Sequence, residues 1–453
     1  MDSINPKRCT NYPSGLSKGK KDISICTGVS GFILLYSRYF EFSQNTDLLS
    51  PSDQNKIKQL KKDIRSLIKT SETRSSKIIS EALNGKKKPR ISFFAGVPGL
   101  DAVKCYYYSL RGKFAEFEMS FSRLLQFAKI IDIYSDEYPC ELYYGLSGYV
   151  YCLLFVAKNC TLIGQNKREK LGGVIVRLVV RCFQRGLVNF SKLKSVESET
   201  ADLNDFAKKL ADFDDFRLLF YYHEKEYFGA AHGLSGILCV FLLVIREFGG
   251  YLEENKLIRL DLFENAIFLS IEYLFQVQTN DGNFPSSFGK LGRSKQVAFC
   301  HGAPGMVNLF CLALESEKCR NSLKKALVSN LASRMIKCIW EKGLNLKGYG
   351  LCHGISGNGY AFLRVSRSHS DLLNPQFKSD CFLKSLKFAF SKQLPQLQEE
   401  IASHDISGRK FVGVSDHPLS LLTGLAGDLM YYIDLIVSLS SECEELSDLS
   451  LLG

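Results

Sequence analysis

No apolar run in this sequence is long enough to cross a bilayer. The longest, Gly236–Ile245, stops at Arg246, whereas a spanning helix needs about twenty such residues. The N-terminal stretch MDSINPKRCTNYPSG has no apolar core of the secretory kind, and Asp2 occupies the position at which N-myristoylation requires glycine. Fifteen cysteines include no C-x-x-C pair, and their number is odd. With no secretory leader, that usage argues against a disulfide framework and for reduced thiols in the cytosol, leaving metal ligation by cysteines distant in sequence open. Strand-like alternation is scarce and no βαβ rhythm appears, so a sheet protein is excluded.

The chain of 453 residues is 45% apolar, 12% aromatic and 23% charged, a globular balance incompatible with disorder or a fibre. Its net charge of +11 is spread along the chain except for short runs at Lys18–Lys21 and Lys86–Arg90. Neither run is interleaved with aromatics. Both read as solvated loop ends, and no nucleic-acid partner is expected.

One pattern, G-[VLAI]-[SPA]-G, occurs seven times, beginning at Gly28, Gly96, Gly145, Gly233, Gly302, Gly354 and Gly424. Most copies run into a segment that is apolar nearly all round, such as Tyr149–Ala157, Ile237–Ile245 and Met306–Leu314, as buried inner helices are. Between them lie amphipathic stretches with one charged face: Gln54–Ser71, Phe117–Ile131, Lys170–Arg185, Leu260–Gln278, Ser322–Trp340 and Asp380–Lys392. The expected fold is all-α, an α/α toroid in which outer helices wrap a ring of seven inner ones. It forms one domain over 25–440, between tails at 1–24 and 441–453. Only 27 residues precede Gly28, so the first outer helix is expected to be missing. The charged, Ser-rich insertion 187–222 is expected to run over the surface. Paired glycines at a helix start allow close approach of backbone or ligand, and helix N-termini gathered at one end would suit an anion.

Three of only seven histidines directly precede a repeat glycine: His232, His301 and His353. Two of them share a tripeptide, Cys300-His301-Gly302 and Cys352-His353-Gly354. Two thiolates and an imidazole brought together by adjacent repeats select zinc and leave a fourth position open, as catalytic sites do.

These stretches resemble the lanthionine synthetase C-like (LanC-like) family over roughly Ile25 to Asp434. The most specific are Glu226-Tyr-Phe-Gly-Ala-Ala-His-Gly233, Cys300-His-Gly-Ala-Pro-Gly305, Lys347-Gly-Tyr-Gly-Leu-Cys-His-Gly354 and Asp416-His-Pro-Leu-Ser-Leu-Leu-Thr-Gly424. The detail is closer to the eukaryotic, glutathione-binding branch than to bacterial lantibiotic cyclases. The resemblance implies that Cys300, Cys352 and His353 hold one zinc ion, with His232 as the acid/base residue and His301 as a neighbour rather than a ligand. Glu141 matches an acidic catalytic position. Lys347 and Arg293 are similar to basic substrate-binding positions, and Tyr349 lines the same pocket. Phe299 stands where the family usually has tryptophan, which keeps an aromatic wall.

The implied activity is zinc-dependent addition of a thiol, glutathione, to a dehydroalanine or dehydrobutyrine residue in a peptide or protein, giving a thioether. The competing reading is a non-catalytic glutathione-binding adaptor or small-ligand receptor that uses the same pocket, its basic surface docking a signalling protein or the membrane periphery. A glycosidase-type toroid would carry paired carboxylates at its mouth, and only Glu141 matches an acidic site position.

Overall fold

A computed structural model describes residues 22–44, 53–135, 137–196, 202–322, 325–344, 347–391, 393–394, 396, 415 and 417–439. The Lys18–Lys21 run, the tail 441–453, Asp416 and nearly all of the tail 1–24 lie outside them, as does any segment that would form an outer helix ahead of Gly28. Among the described residues the secondary structure is helical apart from two isolated bridges.

Helix α1 (Val29–Gln44) begins at the first glycine motif and is followed by the amphipathic α2 (Asp53–Leu83). The alternation continues with α3 (Val97–Leu110) and α4 (Phe114–Ile133), then α5 (Leu146–Asn159) and α6 (Gln165–Leu193). A short α7 (Leu203–Ala211) precedes α8 (Leu234–Asn255) and α9 (Leu260–Gln276). Next come α10 (Ala303–Glu315), the short α11 (Glu317–Ser322) and α12 (Lys325–Lys342). The chain continues through α13 (Ile355–Ser366), α14 (Pro375–Phe390) and α15 (Leu425–Leu439).

The helices that start on glycine motifs touch in cyclic order: α1 with α3, α3 with α5, then α8, α10, α13 and α15, which returns to α1. The amphipathic helices α2, α4, α6, α9, α12 and α14 each pack on the motif helix before them. One contiguous core runs from Ile23 to Val437. The inner helices are apolar all round because both sides are covered: Leu146 to Ala157 of α5 are buried without interruption. Helix α8 has the length and mean hydropathy (1.6 over its best window) of a membrane span, with 67% of that window buried inside the fold. The helix outruns the apolar segment Gly236–Ile245 because it continues past a kink at Phe248.

The glycine pairs serve close packing. A Cβ at the second glycine of each motif would lie 1.9–2.5 Å from the carbonyl oxygen six residues upstream, so the incoming loop folds tightly onto the helix start. Gly302 additionally adopts φ +115°, a conformation closed to other residues.

The expectation of a surface excursion at 187–222 is corrected at both ends. Leu187 and Phe190 are fully buried because the apolar face of α6 continues through them, and Leu218 and Leu219 are fully buried beside it. The middle, residues 197–201, lies outside the described residues.

Candidate metal centre

The residue two places before the first glycine of each motif forms a ring of its own. Backbone N–H groups donate from Tyr143 to Ala231 O (3.0 Å), Ala231 to Cys300 O (3.4 Å) and Cys300 to Cys352 O (3.2 Å). The chain of bonds goes on from Cys352 to Leu422 O (2.7 Å), Leu422 to Cys26 O (3.1 Å) and Cys26 to Phe94 O (3.0 Å). Between Phe94 and Tyr143 the link is a stack, with ring centroids 5.7 Å apart. Equivalent positions of all seven motifs thus meet in one layer, and the local reason is the tight loop that the glycines permit.

Within this layer the Sγ atoms of Cys300 and Cys352 and a ring nitrogen of His353 lie within 4.8 Å of one another. All three residues are half-buried rather than sealed in, so the group is accessible to a small molecule. A hydrogen bond from the Cys352 thiol, with help from His353, pulls Cys300 well below the ordinary thiol range, while Cys352 is pushed up by the same bond and by burial. The two sulfurs are within hydrogen-bond reach of each other, and both would be thiolates on a cation. Two soft sulfurs and an imidazole at this separation fit zinc by donor chemistry.

His232 is linked to this group through His301, the residue after Cys300, whose ring is 6.2 Å from its own. Its Nδ1 is 2.7 Å from Glu141 Oε2. Glu141 is only 2% exposed, and its carboxylate also accepts the backbone N–H groups of Tyr143 (2.9 Å) and Tyr144 (2.6 Å). With two donors already fixed on it, the carboxylate presents Oε2 to Nδ1 and so orients the ring, turning Nε2 away from Glu141. Tyr222 lies parallel to the imidazole with centroids 4.8 Å apart, and Tyr144 at 5.8 Å. His301 lies next to His232 at 6.2 Å between rings, and burial lowers its basicity. Its Nδ1 is buried without a hydrogen-bond partner.

The other sequence-expected residues are placed less uniformly. Lys347 is exposed and lies close enough for its charge to act on Cys352. Tyr349 is half-buried, packed on the core near the Tyr432 hydroxyl. Arg293 is exposed in the loop after the turn Phe288–Lys290, its backbone N–H bonded to Lys290 O.

Two residues of the layer escape a search for Cys-His-Gly. Cys26 and Tyr143 occupy the same register as Cys300 and Cys352, and the Tyr143 hydroxyl donates to Cys26 Sγ. Burial pushes the Cys26 thiol up to about 11. Reading the seven motifs in register would have found both, since this column runs Cys26, Phe94, Tyr143, Ala231, Cys300, Cys352, Leu422.

Comparison with known proteins agrees with this arrangement. The family model for the lanthionine synthetase C-like protein matches residues 19–445. Glutathione S-transferase LANCL1 of Danio rerio is 25% identical over 359 residues, covering 79% of this chain and 74% of that protein. The LanC-like protein GCL1 of Arabidopsis thaliana is 28% identical over 233 residues, covering 51% of this chain and 46% of its own length. Among solved structures, nisin cyclase superposes with a TM-score of 0.59 at 17% identity, covering 96% of this chain and 93% of that one, a likeness of fold.

Proposed function

Because the chain belongs to the lanthionine synthetase C-like family, we propose that it joins the thiol of glutathione to the β-carbon of a dehydroalanine or dehydrobutyrine residue, forming a thioether. Cys300, Cys352 and His353 would hold the zinc ion. The observation that carries this reading is that donor group with His232, an imidazole oriented by a buried carboxylate, one histidine away: His301, next to Cys300 in sequence, lies 6.2 Å from His232 between rings. Glutathione enters through the relative named as a glutathione S-transferase.

A zinc ion at these donors would supply the positive charge that lets a thiol lose its proton at neutral pH. The chain's own residues do the rest. His232 commits Nδ1–H to Glu141, so Nε2 is the atom that takes the thiol proton. The sulfur lone pair forms the C–S bond at the β-carbon while the π pair moves to the α-carbon and its carbonyl. Nε2–H then delivers the proton to the α-carbon, so the thiol hydrogen ends on the product. His232 is therefore the catalytic acid/base, and Glu141 is a positioning residue that never meets substrate. We assign Lys347 and Arg293 to the carboxylates of glutathione and Tyr349 to the pocket wall. The cytosol, where thiols stay reduced, suits this chemistry.

The test is zinc analysis of the purified protein followed by glutathione addition to a dehydroalanine peptide, with His232→Ala alongside. Bound zinc and a thioether product that disappears in the variant are expected. Bound zinc and bound glutathione without product would overturn the enzyme reading in favour of an adaptor.

A further inference from the structure

Beside the metal centre is a recess of about 400 Å³. Two segments form its walls and pair through their backbones: Phe228 N–H donates to Ser286 O (3.1 Å) and Phe288 N–H to Glu226 O (3.0 Å). Under them Arg217, only 3% exposed, forks onto Glu226 at 2.6 and 2.9 Å, and its guanidinium lies 5.4 Å from the Phe288 ring centroid. This buried, bidentate pair keeps the recess shaped instead of letting the walls collapse.

What lines the recess is unusual for a solvent-facing surface. Leu193, Tyr221 and Phe288 are each close to half exposed (50%, 48% and 48%) around one concavity. Lys225 and Lys290 stand at the rim against Glu224, since Glu226 is committed to Arg217. The recess adjoins the metal centre at Tyr227. Tyr227 lines it, and the Tyr227 ring is 6.3 Å from His232 and 5.7 Å from His301. The Lys290 charge acts on His301.

We infer that this recess binds the acceptor polypeptide, taking the residues that flank the dehydroamino acid. An apolar or aromatic flanking side chain packs on Phe288, Tyr221 and Leu193, and an acidic one meets Lys225 and Lys290. The inference rests on the thioether-forming reading above and adds the acceptor's sequence preference to it. Two features favour the acceptor over glutathione as occupant. The α-carbon that receives a proton must reach His232, the histidine that Tyr227 flanks. Leu193, Tyr221 and Phe288 offer apolar surface that glutathione, with two carboxylates and no large apolar side chain, would leave uncovered. The volume falls within the range of small-ligand pockets, enough for a few side chains and not for a folded domain.

The test uses full-length zinc-loaded protein, glutathione and two acceptors: N-acetyl-dehydroalanine methylamide, which has no flanking side chains to place in the recess, and a short peptide with dehydroalanine between phenylalanine and glutamate. Tyr221→Ala and Phe288→Ala should each raise KM for the peptide about tenfold, the equivalent of about 1.4 kcal/mol, and leave the small acceptor as it was. Lys225→Glu should weaken the acidic peptide and strengthen one flanked by lysine. Equal effects on both acceptors, or none on the peptide, would overturn the inference. Tyr221 takes no part in the Arg217 pair, so it keeps the test open if Phe288→Ala fails to fold. Binding of a fluorescent copy of the peptide, measured without glutathione, separates the two readings. Peptide binding lost in Tyr221→Ala supports the recess even if no thioether forms, and undiminished binding rejects it even if one does.

Discussion

Glu141 Oε2 and His232 Nδ1, 91 residues apart in the chain, sit 2.7 Å from each other. Two backbone N–H groups fix the carboxylate from behind, so its side chain has no freedom to serve substrate directly. Glu141→Gln places an amide NH₂ among donors that need an acceptor, and the imidazole loses its tautomer control. The expected result is a fall in kcat of about 10²-fold or more, with zinc content and the KM for glutathione retained. Loss of zinc along with activity would instead make Glu141 a structural residue.

How much of this was legible beforehand follows from where the signal lies. The pairing of Cys300 with Cys352 beside a histidine was readable because two tripeptides repeat at one register, and all seven motifs open a helix in the fold; the choice of His353 over His301 came only from the family resemblance. The Glu141–His232 bond was not derivable from spacing. It joins the third motif to the fourth through loops whose close approach depends on carbonyls wrapping onto glycines. The residues 187–222 misled for a different reason. Their charged middle conceals buried ends, since Leu187 and Phe190 continue a helical period that composition averages away.

Cys352 and Cys26 hold the same register and should behave oppositely. Cys352 lies within the three-donor group, whereas the Cys26 sulfur accepts the Tyr143 hydroxyl and burial keeps its proton on. Cys352→Ala is expected to abolish zinc in the purified protein, and Cys26→Ala to keep it. Metal analysis of the two variants side by side decides the matter. Retained zinc in Cys352→Ala would remove that residue from the ligand set.

Asp101 gives the fold a pH dependence unrelated to the metal centre. Its carboxyl is fully buried and pushed up to about 6 by burial, against the opposing charges of Arg123 and Lys104 and alongside that of Glu72. An acid whose folded pKa is raised binds its proton more tightly in the native state. Its contribution is present below the unfolded value near 3.8 and is lost as pH rises through 6. The shift corresponds to about 3 kcal/mol. Comparing urea unfolding of wild type and Asp101→Asn from pH 4 to pH 7, the wild type should lose stability relative to the variant by up to that amount. A difference between the two that stays flat with pH would show that Asp101 titrates normally.

The ring itself is closed by charge. Arg38 of α1 donates from Nε and NH2 to Asp434 Oδ1 of α15 at 3.0 and 2.9 Å, joining residues 396 apart in sequence. Tyr360 donates to the other carboxylate oxygen at 2.5 Å, and the remaining arm of Arg38 meets Glu41, which also accepts from Tyr106 at 2.7 Å. Arg38 and Asp434 are each only 1% exposed at the side chain. Removing one partner therefore leaves an uncompensated buried charge, a loss of about 3–5 kcal/mol, whereas replacing both together costs far less. Arg38→Met should lower the urea midpoint sharply, and Arg38→Met with Asp434→Asn should recover part of the loss, because the second change removes the stranded carboxylate. Zinc content of the folded fraction should stay constant throughout, since none of the metal donors touches this cluster. A double variant no more stable than Arg38→Met would show that the helices α1 and α15 are held by packing alone and that the ion pair is incidental to closing the ring.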